Sequence, residues 1–173
     1  MSLLEVSGLK KVYKTRFGGN AVEALRNVNF SVNEGEYVAI MGESGSGKTT
    51  LLNILAALDK PTAGTVLLDG RDFTKIRESE AATFRRDHLG FVFQEFNLLD
   101  TFTLEDNIYL PLVLAGKSYD EMRTRLIDIA ETLGIRELLK KYPYEVSGGQ
   151  KQRAAVARAL ITKPRILLAE EPT

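Results

Sequence analysis

Of the 173 residues none is cysteine or tryptophan, and one is histidine. Without cysteine there is no disulfide framework and no thiolate metal site. A single histidine excludes any mechanism or metal centre that needs two. Charge of one sign is also missing: 23 Lys and Arg balance 23 Asp and Glu. No broad basic field draws nucleic acid, and no nucleic-acid partner is expected. Long hydrophobic runs are absent as well. The longest candidate, Ile108 to Ala115, is interrupted by Pro111 and falls far short of the roughly 20 apolar residues of a membrane span. The start, Met1-Ser2-Leu3-Leu4-Glu5-Val6, has no basic segment before a long apolar core and does not read as a signal peptide. These absences suit a cytoplasmic protein. The composition itself is globular, 44% apolar and 27% charged, in a length that suits one domain with a real core.

The first third reads as short strands and turns. Leu3–Val6, Lys11–Tyr13 and Phe30–Val32 are strand-like. Tyr37-Val38-Ala39-Ile40-Met41 is a continuous apolar run, as expected of a strand buried on both faces. A glycine-rich loop from Gly42 to Gly47 follows. From Lys48, Leu51, Leu52, Ile54, Leu55 and Leu58 take helical spacing until Pro61 and Gly64. The middle holds a charged helix over Ile76–Arg86, a buried strand over Leu89–Phe93, and a helix over Thr103–Ala115 despite Pro111. Ser118 with Glu121 forms a capping-box pattern. It opens a helix with Met122, Leu126, Ile129, Ala130 and Leu133 on one face and Gly134 at its end. Ser147 with Gln150 is a second such pattern, opening a helix through Ile161. Pro164 follows, and Arg165–Ala169 is a third buried strand. Strands alternating with helices argue for an α/β core with a mainly parallel sheet.

Gly42-Glu43-Ser44-Gly45-Ser46-Gly47-Lys48-Thr49 matches the phosphate-loop pattern G-x-x-x-x-G-K-[ST] in full. Glycines let the backbone wrap phosphates so that amide N–H groups point inward. The helix that follows presents its positive end to the same anion. Lys48 can reach the β- and γ-phosphates and the Thr49 hydroxyl can ligate Mg²⁺, with Thr50 beside it. A buried strand before and a helix after are the context this motif requires.

A phosphate loop alone does not choose among nucleotide hydrolases. Val146-Ser147-Gly148-Gly149-Gln150-Lys151-Gln152-Arg153 does: it resembles the signature sequence of the ABC ATPases, with Val146 where the family usually has leucine. Ser147 with two glycines at a helix start is a second anion site, and one nucleotide has no obvious need of two. The phosphate loop, Gln94 after a buried strand and the closing Glu170-Glu171-Pro172-Thr173 follow in the family's order.

The resemblance implies a P-loop NTPase core (1–94) with an antiparallel N-terminal β-subdomain, an inserted helical subdomain (95–160) carrying the signature, and a return to the core (161–173). It implies a head-to-tail homodimer sandwiching ATP, with Ser147, Gly148, Gly149 and Gln150 closing on the partner's nucleotide. It implies Gln94 as a sensor of Mg²⁺ and γ-phosphate, and Phe96, Leu98, Leu99 and Phe102 as a face for a membrane subunit. Tyr13 becomes the adenine platform, with Phe17 as competitor. Glu171 becomes the general base that activates water. The preceding family residue, an aspartate holding Mg²⁺, is Glu170 here. Mg²⁺ demands near-ideal geometry, so one extra methylene is expected to slow hydrolysis. The chain reads as cut just after Glu171, before the family's switch histidine; His88 lies too early to be that residue, so turnover of the chain as given is expected to be impaired.

Ala24–Val28, Leu51–Leu55, Gly90–Gln94, Phe96–Leu99, Asp106–Ile108 and Pro111-Leu112 resemble the subgroup serving lipoprotein release, macrolide export and antimicrobial-peptide resistance. Its permeases bear large extracytoplasmic domains. The implied location is the inner face of the cell membrane, held there by the permease. Two alternatives stay open: an ATPase that regulates a cell-wall hydrolase or a sensor complex without transport, and a hydrolysis-impaired nucleotide-binding fragment. The stretch between Gln94 and Ser147 is too short, and lacks the sustained heptads, for the coiled coil of DNA-repair relatives.

Overall fold

The computed structural model describes residues 2–14 and 19–170, and the chain divides into two compact units, Met1–Ala81 and Ala82–Thr173. In the first, β1 (Ser2–Tyr13) pairs antiparallel with β2 (Val22–Asn33) on one side and β3 (Ala63–Leu68) on the other; β4 (Arg71–Asp72) closes the sheet beside β3. The order β2-β1-β3-β4 is the antiparallel subdomain implied above. β1 and β2 each run on where the sequence suggested short pieces, because register shifts after Val6 and Leu9 absorb the breaks in alternation. Leu4, Val6, Leu9, Val66 and Leu68 face inward. Helix α1 (Lys48–Leu55) buries Leu51, Ile54 and Leu55 and ends short of Leu58, which is exposed.

Tyr37–Met41 departs from expectation. It forms no strand, and Tyr37 and Met41 are 88% and 89% exposed. An apolar run becomes a buried strand only where neighbours pair its backbone and cover both faces. Among the described residues this run belongs to neither sheet.

The second unit joins a parallel pair of strands to a helical bundle. Helix α2 (Glu78–His88) leads into β5 (Leu89–Val92), which pairs with β6 (Ile166–Ala169) from Leu89↔Ile166 to Val92↔Ala169. Between them lie α3 (Leu104–Leu114), α4 (Tyr119–Thr132) and α5 (Gly148–Leu160). Leu104, Ile108 and Leu112 of α3, Leu126 and Ala130 of α4, and Ala154 and Ala157 of α5 form one buried cluster. Each fully buried Leu or Ile contributes about 1.5–3 kcal/mol. Thr103 caps α3, and the Leu104 and Glu105 amides donate to the Lys141 and Leu139 carbonyls, so this helix start is satisfied internally. The Ser118 hydroxyl accepts from Glu121 N as expected, but the Glu121 carboxylate pairs with Lys117 and Arg125, so the expected box is one-sided. Gly90 lets α5 settle on β5: a Cβ there would lie 2.7 Å from the Ala159 carbonyl oxygen.

No helix among the described residues is long and apolar enough to cross a membrane.

Candidate functional site

The α-helices among the described residues differ at their first turns. α2, α3 and α4 carry acids there: Glu78 and Glu80, Glu105 and Asp106, Asp120 and Glu121. These carboxylates answer the positive end of each helix internally. α1 and α5 carry none, and both follow the glycine motifs.

At α1 the cap is Gly47, with φ 95° and no side-chain hydrogen bond. Only glycine suits this place: the backbone is left-handed, and a Cβ would lie 2.4 Å from the Ala24 carbonyl oxygen of β2. Gly45 is also left-handed, at φ 80°. The loop is pinned from inside by Lys48, whose Nζ donates to the Gly42 and Glu43 carbonyls at 2.6 and 2.8 Å and approaches Ser46 Oγ at 3.4 Å. Gly42, Ser44, Gly45 and Ser46 are exposed, as is Thr49; Thr50 is half-buried. The result is an ammonium centred in a ring of backbone at a helix start that lacks its own anion. Such an arrangement suits a polyphosphate.

At α5 the cap is a side chain. Ser147 Oγ accepts from Gln150 N at 3.3 Å, and Gln150 Oε1 accepts from Ser147 N at 2.9 Å, completing the predicted box. Ser147, Gly148 and Gly149 are exposed, and a Cβ at either glycine would meet nothing within 4 Å. This helix end is finished on its own side and open on the other.

Gln94 is exposed just after β5, and Glu170 is half-buried just after β6, its amide donating to the Val92 carbonyl at 3.0 Å. Glu171 and Phe17 lie outside the described residues. Tyr13, 43% exposed, has its hydroxyl donating to Asp59 Oδ2 at 3.0 Å, while Lys11 Nζ sits 4.9 Å from its ring centroid. Lys11 also donates to Asp59 Oδ1 at 2.7 Å. Burial pushes the Asp59 carboxyl up, but hydrogen bonds from Lys11, Tyr13 and the Lys60 amide outweigh it and hold it below the usual aspartate range. The expected adenine platform is thus a ring fixed at its hydroxyl and near a cation.

A profile of the ABC transporter family matches residues 25–173. The chain belongs to the ABC transporter family. It is 51% identical over 172 residues to the ABC transporter ATP-binding protein YxdL of Bacillus subtilis, covering 99% of this chain and 66% of that protein. It is 47% identical over 173 residues to the bacitracin export ATP-binding protein BceA of Halalkalibacterium halodurans, covering 100% of this chain and 68% of that one. Among solved structures, the ATP-binding cassette MJ0796, a dimer in a post-hydrolysis state bound to ADP and Pi, superposes with a TM-score of 0.87 at 41% identity, covering 98% of this chain and 74% of that chain. The chain spans about two thirds of the length of the curated relatives it matches. Its fold is that of the ATP-binding cassettes, as the motifs implied.

Against that family background, the structure gives a role to residues that the motifs left without one. Asn107 is fully buried in α3. Its Nδ2 donates to the Leu99, Phe102 and Thr103 carbonyls, and its Oδ1 accepts from Leu99 N at 2.8 Å. It therefore ties down the segment that follows Gln94. Of the four residues expected to form a docking face, Leu99 and Phe102 are exposed, Phe96 is half-buried, and Leu98 packs against the helical core. His88 ends α2 with its ring 5.0 Å from that of Phe84, a packing role. Lys11 and Asp59 formed no motif, and only their meeting around Tyr13 marks them.

Proposed function

We propose that this ABC domain binds ATP with Mg²⁺ and hydrolyses it to drive an exporter of antimicrobial peptides, working as a head-to-tail dimer under a permease with a large extracytoplasmic domain. The observation that carries the reading is the pair of acid-free helix starts, one wrapped around Lys48 and one presenting Ser147 outward. The amides of 42–50 and the Lys48 ammonium cradle the phosphates, and Tyr13 stacks on the base. Thr49, Gln94 and Glu170 offer hydroxyl, amide and carboxylate oxygens, hard donors that fit Mg²⁺. The ion, once bound, neutralises charge developing on the β- and γ-phosphates. Glu171 accepts the proton of the attacking water and so orients it on the γ-phosphorus. Ser147, Gly148, Gly149 and Gln150 of the second copy complete the phosphate's hydrogen bonds. The dimeric form of the solved cassette supports a pairing of two copies, and the likeness to a bacitracin exporter supports a peptide antibiotic as cargo.

Fluorescent-nucleotide binding and phosphate release test the reading. Saturable, Mg²⁺-dependent binding with slow turnover is expected, and Glu170→Asp should raise the turnover by shortening the reach to the ion. Equal rates for the two proteins would remove Glu170 from the metal site. In cells, inactivating Lys48 should lower tolerance to bacitracin; unchanged tolerance would reject that cargo.

A further inference from the structure

The chain turns sharply just after Gln94. Phe96 N donates to the Phe93 carbonyl at 3.1 Å, and Asn97 N donates to the Glu95 carbonyl at 2.7 Å, a three-residue turn centred on Phe96. Phe96 and Asn97 are both left-handed, with φ 63° and 47°. This region is costly for a bulky side chain, and a three-residue turn of that hand is rare and strained. Such a segment persists only where its surroundings hold it. Asn107 of α3 holds the far side at Leu99. On the near side, the two left-handed residues give their carbonyls to one group: Arg158 of α5 donates from Nη1 to Asn97 O at 2.7 Å and from Nη2 to Phe96 O at 2.8 Å. Burial pushes this guanidinium below the usual arginine value, as a desolvated clamp should show. Arginine's rigid planar fork bridges two adjacent acceptors; a lysine ammonium is a single point on a flexible stem.

Arg158 lies about three turns along the helix that Ser147 opens. We propose that Arg158 is a positioning residue that latches the loop carrying Gln94 to the helix carrying Ser147, so that the two groups move as one body. The proposal rests on the function proposed above, in which Gln94 serves its own chain's nucleotide and Ser147 the partner's. Arg158 is then the link by which the state of one nucleotide reaches the other. It touches no nucleotide itself.

Arg158→Met removes the fork, and Arg158→Lys keeps the charge and the stem but only one point of contact. Hydrogen–deuterium exchange over 94–99, nucleotide Kd, kcat and KM should be measured on the whole chain. In Arg158→Met, exchange over 94–99 should quicken by about tenfold or more, as expected when a local opening loses two charge-assisted bonds. kcat should fall by about tenfold while nucleotide Kd stays within about twofold, because the phosphate loop is untouched. Arg158→Lys should fall between the two proteins. Unchanged exchange over 94–99 in both variants would overturn the latch, as would an equal loss of kcat and binding that follows the folded fraction. If Arg158→Met does not fold, Arg158→Lys decides by the same readouts. If the unmutated chain neither binds nor hydrolyses ATP, the proposed function fails, while the exchange comparison still decides whether Arg158 holds the loop.

Discussion

The starts of α1 and α5 solve the same electrostatic problem in opposite ways. Both leave helix N–H groups without a carboxylate of their own. At α1 the cap is a left-handed glycine, and the chain folds its own cation, Lys48, into the loop. The cap residue itself offers no side-chain hydrogen bond to the helix start, which leaves that end suited to an anionic ligand. At α5 the Ser147–Gln150 box satisfies the first turn, and the glycines leave its outer face clear. In the function proposed above, one start encloses an anion and the other approaches an anion that a second chain holds. That contrast is why, on this proposal, one chain carries two phosphate motifs and still needs a partner.

Breaking the first start should have the largest effect. Lys48→Ala removes the ammonium at the centre of the loop, and turnover should fall about 10²–10³-fold in a phosphate-release assay. Nucleotide affinity should fall about tenfold, the cost of a charge-assisted contact. Breaking the second should separate turnover from binding. Ser147→Ala removes a cap worth about 1 kcal/mol, a Tm loss of roughly 2–4 °C. Turnover should fall about tenfold while a single chain binds ATP as before. Gly149→Ala sharpens the contrast, since its methyl enters open space: folding should change by no more than about 1 kcal/mol, yet turnover should drop because the methyl stands where the partner's phosphate must come. A proportional loss of binding in either variant would show that the two starts serve one nucleotide in one chain.

The smallest expected effect lies around Tyr13, the base end of the proposed nucleotide site. The depressed Asp59 carboxyl contributes stability that is full above the unfolded aspartate value of about 3.9 and lost as pH falls through the lower folded value. Asp59→Asn should lower stability at neutral pH by about 1 kcal/mol. Its Tm gap to the unmutated protein should close as the pH drops below about 4. Nucleotide affinity should fall about twofold, because the ring of Tyr13 loses its anchor but not its face. A Tm gap that persists in acid would show that the carboxylate charge is not what fixes Tyr13.

What was legible in the sequence was local. The phosphate loop, the Ser147–Gln150 box and the apolar stripe of α4 all act within a few residues, and spacing alone reports them. What was not legible depends on partners far along the chain. Arg158 meets Asn97 across 61 positions, and Lys11 meets Asp59 across 48, so neither pair leaves a periodic trace. Tyr37–Met41 shows the same limit from the other side. Its apolar run reads as a buried strand, but burial depends on which strands stand beside it, and the run itself does not specify them. The Ser118–Glu121 box is one-sided for a related reason: Arg125 and Lys117, one turn away on either side, compete for the same carboxylate.

In the proposed function, Lys48 and Ser147 act on the same nucleotide from different chains. Mixing Lys48→Ala and Ser147→Ala proteins in equal amounts tests it directly by phosphate release. Alone, Lys48→Ala should be nearly inactive, and Ser147→Ala should keep only the small residual rate expected above. In a mixed pair, one site combines an intact Lys48 with an intact Ser147, so the mixture should recover about a quarter of the unmutated rate if the sites fire independently. No recovery beyond the sum of the two variants would contradict the account and return both motifs to a single chain.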